Sequence, residues 1–117
     1  MKKRILTKYR KKELEYMCLQ YNDYKSQLAS INMRLGTGEW DDPTYEEVCF
    51  RENLTKKIQI IDEALSEVCS SAISPYIFKS VTKGVAYEYL GAPIGRRQFY
   101  DLKDEFYIVL SQKEQRL

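Results

Sequence analysis

Two apolar repeats of the same period dominate the chain. Leu14, Met17, Tyr21, Tyr24, Leu28, Ile31 and Leu35 recur at alternating intervals of three and four residues, and Leu54, Ile58, Ile61, Leu65, Val68 and Ala72 repeat in the same way. That spacing keeps one stripe of an α-helix turned toward a partner, whereas a strand sends successive side chains to opposite faces. The first repeat is therefore read as one long helix from Lys8 to Leu35, ~42 Å in length, with Thr7 as its N-cap and Gly36 as its stop. The breaker-rich stretch from Gly36 to Pro43 then turns the chain. Asp42 is the expected cap and Pro43 the first residue of a second helix, with Glu46 and Glu47 at the positive end of its dipole. Two long helices of matching period joined by a short linker predict an antiparallel hairpin. A lone pair leaves part of each stripe wet, so the hairpin is also expected to meet a second copy or another protein. Trp40, the single tryptophan, sits in the connection and is read as a plug for the open end of the hairpin.

Beyond residue 73 the punctuation quickens. Ser74-Pro75 is a second cap-then-proline signal, and Tyr76, Ile77, Phe78 and Val81 form a short apolar helix that Gly84 ends. Val85 to Leu90 is a further short helix, Gly91-Ala92-Pro93 a turn, and Phe99, Leu102, Phe106 and Val109 the stripe of a final long helix. The fold class is all-α, a long antiparallel hairpin followed by a C-terminal trihelical, helix-turn-helix-like unit. Three regions result: a basic segment at 1–12, the coiled-coil-like hairpin at 13–73 and the helix-turn-helix-like unit at 74–117.

Charge is strongly partitioned. Residues 1–12 carry seven Lys or Arg and no acid, residues 13–74 carry five bases against twelve acids, and residues 75–117 carry seven against five. The basic start either neutralises phosphates, through Lys2, Lys3 and Arg4, or lies on acids of its own chain or of a partner. No histidine is present, which removes Ser-His and Cys-His nucleophiles and the usual general base near neutral pH. Cys18, Cys49 and Cys69 are three in number, far apart and without a Cys-x-x-Cys pair, so they are read as reduced thiols rather than as metal ligands or disulfides. Asp41, Asp42, Glu46 and Glu47 are read as a helix-cap cluster and not as a cation site. No catalytic residue, cofactor or metal is expected. No apolar run approaches the ~18 residues of a membrane span, and the start has no signal-peptide pattern, so a cytoplasmic chain without a membrane partner is expected.

The segment PIGRRQFYDLKDEFYIVL, from Pro93 to Leu110, carries the chemistry. Arg96, Arg97 and Gln98 fall in the first turn of the last helix, where a helix-turn-helix places the side chains that read base edges. Arg96, Tyr100, Lys103 and Tyr107 share one flank, with Tyr100 and Lys103 as candidate phosphate contacts. Asp101, Asp104 and Glu105 on the same helix oppose such a role.

Gly84, Ala86, Tyr87 and Glu88, followed by Pro93, Ile94, Gly95, Arg96, Arg97, Phe99 and Tyr100, resemble the helix-turn-helix of sigma-factor region 4 and of ArpU/RinA-like phage transcription regulators. Gly95 stands where that pattern has Ser, and glycine caps nearly as well. The interval from Tyr87 to Gly95 is about two residues shorter than in the sigma-type motif, which implies a shortened scaffold helix or a remodelled turn. The run Tyr16, Cys18, Leu19, Gln20, Tyr21 and the approach Ile77, Val81, Thr82, Gly84 are similar to those of short phage and prophage proteins of Firmicutes. The resemblance implies a phage-associated regulator. With the residues above, the expected function is a transcription regulator that binds double-stranded DNA as a homodimer, the hairpin serving oligomerisation or contact with RNA polymerase. The alternative is a non-catalytic helical protein that binds another phage or host protein without touching DNA.

Overall fold

The computed structural model describes residues 6–36 and 44–115, and all regular structure among them is helical. The order is α1 (Lys8–Leu19), α2 (Tyr21–Gly36), α3 (Tyr45–Val68), α4 (Ser74–Lys83), a three-residue 3₁₀ turn (Tyr87–Tyr89) and α5 (Arg96–Gln115). The molecule is elongated, 53 × 31 × 22 Å.

The first long helix is two helices. The pattern breaks at Gln20, whose N–H donates to the Met17 carbonyl (3.2 Å) in a tightened turn before Tyr24 N–H bonds back to the Gln20 carbonyl (2.9 Å). No proline or glycine causes this. The stripe changes partner there: α1 packs on α4 and α5, while α2 packs on α3. Leu14 and Cys18 on one side of the break are fully buried, and Tyr21 and Tyr24 on the other are nearly so. The seam thus faces the core along both helices, and the kink lets one continuous stripe serve two sets of neighbours.

Thr7 caps α1 as expected, its side chain accepting from Arg10 N–H at 3.1 Å. For α3 the cap is Thr44 rather than Asp42, and its hydroxyl accepts from Glu47 N–H at 3.2 Å. Asp41, Asp42 and Trp40 lie outside the described residues, as do Lys2, Lys3 and Arg4. Helix α4 begins at Ser74 with Ile73 at the cap position and no side-chain cap, one residue earlier than the Ser-Pro signal places it. Gly84 closes α4 in the left-handed region (φ 68°), the conformation that favours glycine.

Helix α3 is the spine. Its Asp62 accepts a hydrogen bond from Tyr21 of α2 (2.8 Å), while Glu63 and Glu67 take the Lys113 ammonium of α5 (3.5 and 2.6 Å). Two flanks of α3 therefore meet two different helices. This explains why Ile60 and Ala64 are buried beside the Leu54, Ile58, Ile61 and Leu65 of the repeat, while Ala72, past the end of the helix, is exposed. The core is completed by Ile77 and Val81 from α4 and by Phe99, Phe106, Tyr107 and Leu110 from α5. Cys18 and Cys69 are buried free thiols and Cys49 is half-buried. Burial pushes the Cys18 thiol up to about 12. No described helix is long and apolar enough to cross a membrane.

Candidate nucleic-acid interface

The segment joining α4 to α5 sets the position of the last helix. Where a scaffold helix is expected, from Val85 to Leu90, the chain makes only the single 3₁₀ turn Tyr87–Tyr89. Gly91, at φ 64°, then reverses it. Tyr87 fixes this connection to α5 twice over. Its hydroxyl donates to the Ile94 carbonyl (2.7 Å), and its ring packs against Phe99 at 5.2 Å and Tyr100 at 6.5 Å between centroids. Phe99 is fully buried, and its N–H bonds to the Gly95 carbonyl (2.9 Å) to close the first turn of α5. The turn bearing Arg96, Arg97 and Gln98 is thereby held by a buried aromatic anchor. Gly95 supplies no side chain to cap it, so the positive end of the α5 dipole faces outward without a cap-residue acceptor.

Arg96, Arg97 and Gln98 are all exposed. The Arg96 guanidinium is engaged by Glu88 at 2.8 Å and lies 5.7 Å from the Tyr100 ring centroid. Arg97 and Gln98 make no ion pair and no side-chain hydrogen bond among the described residues. Tyr100 is half-buried, with the Lys103 ammonium 6.0 Å from its ring centroid.

The proposed flank of Arg96, Tyr100, Lys103 and Tyr107 does not stay open along its length. Tyr107 is 2% exposed and belongs to the core, and Lys103 is half-buried. Helix α1 covers this flank, as Arg10 bonding Ser111 (3.1 Å) and Glu114 (2.9 Å) and Lys11 bonding Asp104 (3.0 Å) make plain. Desolvation lowers the Lys103 pKa, and the nearby Glu15 charge opposes that shift. Periodicity alone does not reveal this, because a tyrosine and a lysine on a stripe adjoining the apolar one are equally at home under a neighbouring helix.

The same contacts alter the charge of α5. Asp104 is matched by Lys11, so one of the three acids that oppose an anionic ligand has a basic partner, and Glu114 further along α5 is matched by Arg10. Asp101 and Glu105 remain exposed. Arg10 and Lys11 are neighbours of the site that the sequence motif does not single out, while Tyr87 and Glu88 belong to the motif and make contacts that it does not specify. Among the described residues no group of three or more His, Cys, Asp or Glu is arranged to hold a metal ion.

No family model matches the sequence, and no curated protein and no solved structure is detectably similar to it. Function is therefore argued from the residues of the site.

Proposed function

We propose that this protein is a non-catalytic, phage-type transcription regulator that meets double-stranded DNA with the first turn of α5. Arg96, Arg97 and Gln98 face the base edges of the major groove, and Tyr100 meets the phosphates beside them, with the half-buried Lys103 behind its ring. The observation that carries this reading is the pair Arg97 and Gln98, exposed and unengaged, on a helical turn anchored by buried Phe99 and by Tyr87. Arginine and glutamine are suited to bidentate contacts with guanine and adenine, and a rigid support is what such contacts require. Lys11 and Arg10 reduce the acidity of α5 and so favour the approach of a polyanion. The supporting turn is shorter than a full scaffold helix, so α5 takes its direction from packing on α3, α1 and α4, and the Tyr87–Ile94 bond holds only the approach to its first turn.

A double replacement of Arg96 and Arg97 by Ala tests this directly. Promoter-selective binding is lost with helicity unchanged if the assignment holds, and binding that survives the change removes it.

A second reading, a protein-binding module without DNA contact, is favoured by a different observation. The far end of the α2–α3 pair exposes Met33 (76%), Tyr45 (83%) and Phe50 (49%). Apolar and aromatic exposure of this kind marks protein interfaces more than nucleic-acid ones.

A further inference from the structure

The α2–α3 pair runs past the rest of the molecule as a two-helix finger. No residue from Lys25 to Arg34 on α2, and none from Thr44 to Asn53 on α3, is buried, whereas every buried residue of α3 lies at Leu54 or beyond. The core axis marked by Leu65, Ile61, Ile58 and Leu54 continues onto the finger as Phe50 and Ile31. There α1, α4 and α5 no longer cover it. An open groove of about 320 Å³ between Ser30, Ile31 and Arg34 of α2 and Glu47 and Phe50 of α3 marks the uncovered side. Two helices do not enclose an interior between them, and four do.

The charges along this side specify the occupant. Glu46, Phe50, Asn53 and Lys57 stand at i, i+4, i+7 and i+11 on one stripe of α3. Glu46 is exposed and has no ionic partner among the described residues. The Lys57 ammonium has none either and rests over the Tyr24 ring, 5.1 Å from its centroid. The stripe thus carries an acid at one end and a base at the other, ~16 Å apart, with an aromatic residue between them. Such a stripe is complementary to itself when reversed. A two-fold axis passing between Arg51 and Glu52 sets Glu46 against Lys57 of a second copy at both ends and brings the two Phe50 side chains within about one helical turn of each other.

We propose that this face of the finger binds a second copy of the chain in antiparallel register, closing a four-helix bundle with Glu46–Lys57 pairs at its two ends. The inference rests on the uncovered face of the α2–α3 pair and not on DNA contact. Its consequence for that reading is that one assembly presents two copies of the Arg96–Gln98 turn.

Sedimentation in low-salt buffer without DNA tests it, circular dichroism confirming that each variant is folded. The wild-type chain sediments at twice its 13.9 kDa mass. Glu46→Lys and Lys57→Glu each place like charges in contact and weaken association at least tenfold, and the double variant E46K/K57E restores it. A wild-type chain that stays monomeric at high micromolar concentration overturns the proposal. So does a dimer indifferent to both single changes, or a double variant no tighter than the singles. Because no DNA is present, failure here is distinct from failure of the Arg96 and Arg97 assignment.

Discussion

The Glu88 carboxylate holds the Arg96 guanidinium at 2.8 Å, joining the 3₁₀ turn to the first residue of α5 across the Gly91–Gly95 reversal. Both side chains are largely exposed, so the pair contributes little to stability. Its consequence is electrostatic: the acid competes with any phosphate or base for the same guanidinium. Glu88→Gln removes the competitor and leaves the fold unchanged. Duplex DNA is expected to bind about twofold to fivefold more tightly to this variant by fluorescence anisotropy, the equivalent of roughly 0.4–1 kcal/mol. Weaker binding would show that Glu88 instead holds Arg96 in its working orientation.

Tyr87 acts through shape. Tyr87→Phe keeps the ring against Phe99 and Tyr100 and deletes only the 2.7 Å bond to the Ile94 carbonyl. The expected cost is about 0.5–1.5 kcal/mol in denaturant unfolding. DNA affinity is expected to fall with it, since the orientation of the α5 turn depends on that connection, while the far-ultraviolet circular dichroism stays that of the parent.

Arg10 joins the two ends of the chain. It bonds Ser111 and Glu114 on α5 and Glu13 on its own helix, with a side chain only 22% exposed. Arg10→Ala leaves a partly covered Glu114 carboxylate without its partner, and we expect a loss of about 1–2 kcal/mol. The melting temperature should drop by roughly 4–10 °C. Lys11→Ala, at a more exposed pair, should cost less.

Alkaline pH provides an independent probe of the core. Burial raises the Cys18 thiol to about 12, and burial raises the Tyr21, Tyr24 and Tyr107 phenols as well, with the Asp62 hydrogen bond adding to the shift at Tyr21. A raised folded-state value favours the protonated form, so the stability tied to these groups is intact below the unfolded values near 9 and 10 and is lost as pH climbs above them. Lys103 runs the other way: its lowered value means that the penalty on its charged form is relieved as pH rises. Burial also raises the Cys69 thiol and the Glu67 hydrogen bond raises the Lys113 ammonium, so six groups against one give a melting temperature that falls steadily above pH 9 in thermal scans. Native thiol titration at pH 8 should label Cys49 before Cys18 or Cys69.

Much of the helical layout was legible because both seams obey one period and both are turned inward: Leu14, Tyr21, Tyr24, Leu54, Ile58, Ile61 and Leu65 all belong to the core. Thr7 and Gly84 were legible as helix ends for the local reason that a hydroxyl accepts a first-turn N–H and glycine tolerates positive φ. The break at Gln20 was not, because its cause is tertiary: the stripe passes from α4 and α5 to α3, and no residue at the break departs from helical preference. The cap at Thr44 escaped notice because Asp42-Pro43 offers an equally good local signal two residues earlier, and propensity does not rank two adequate caps. At the site, Arg96, Arg97 and Gln98 are exposed. The cover of α1 over Tyr107 and Lys103 is not legible, because Asp104 and Glu114 find their partners on α1 some ninety to one hundred residues away.

Whether the first turn of α5 meets DNA is decided by titration of labelled phage-promoter and random duplexes at two salt concentrations. Binding that prefers the promoter and weakens steeply with salt is expected, together with an Arg97→Ala variant that loses the preference while remaining folded. A folded protein that binds neither duplex at low salt, or an Arg97→Ala variant that binds and discriminates as the wild type does, would contradict that contact.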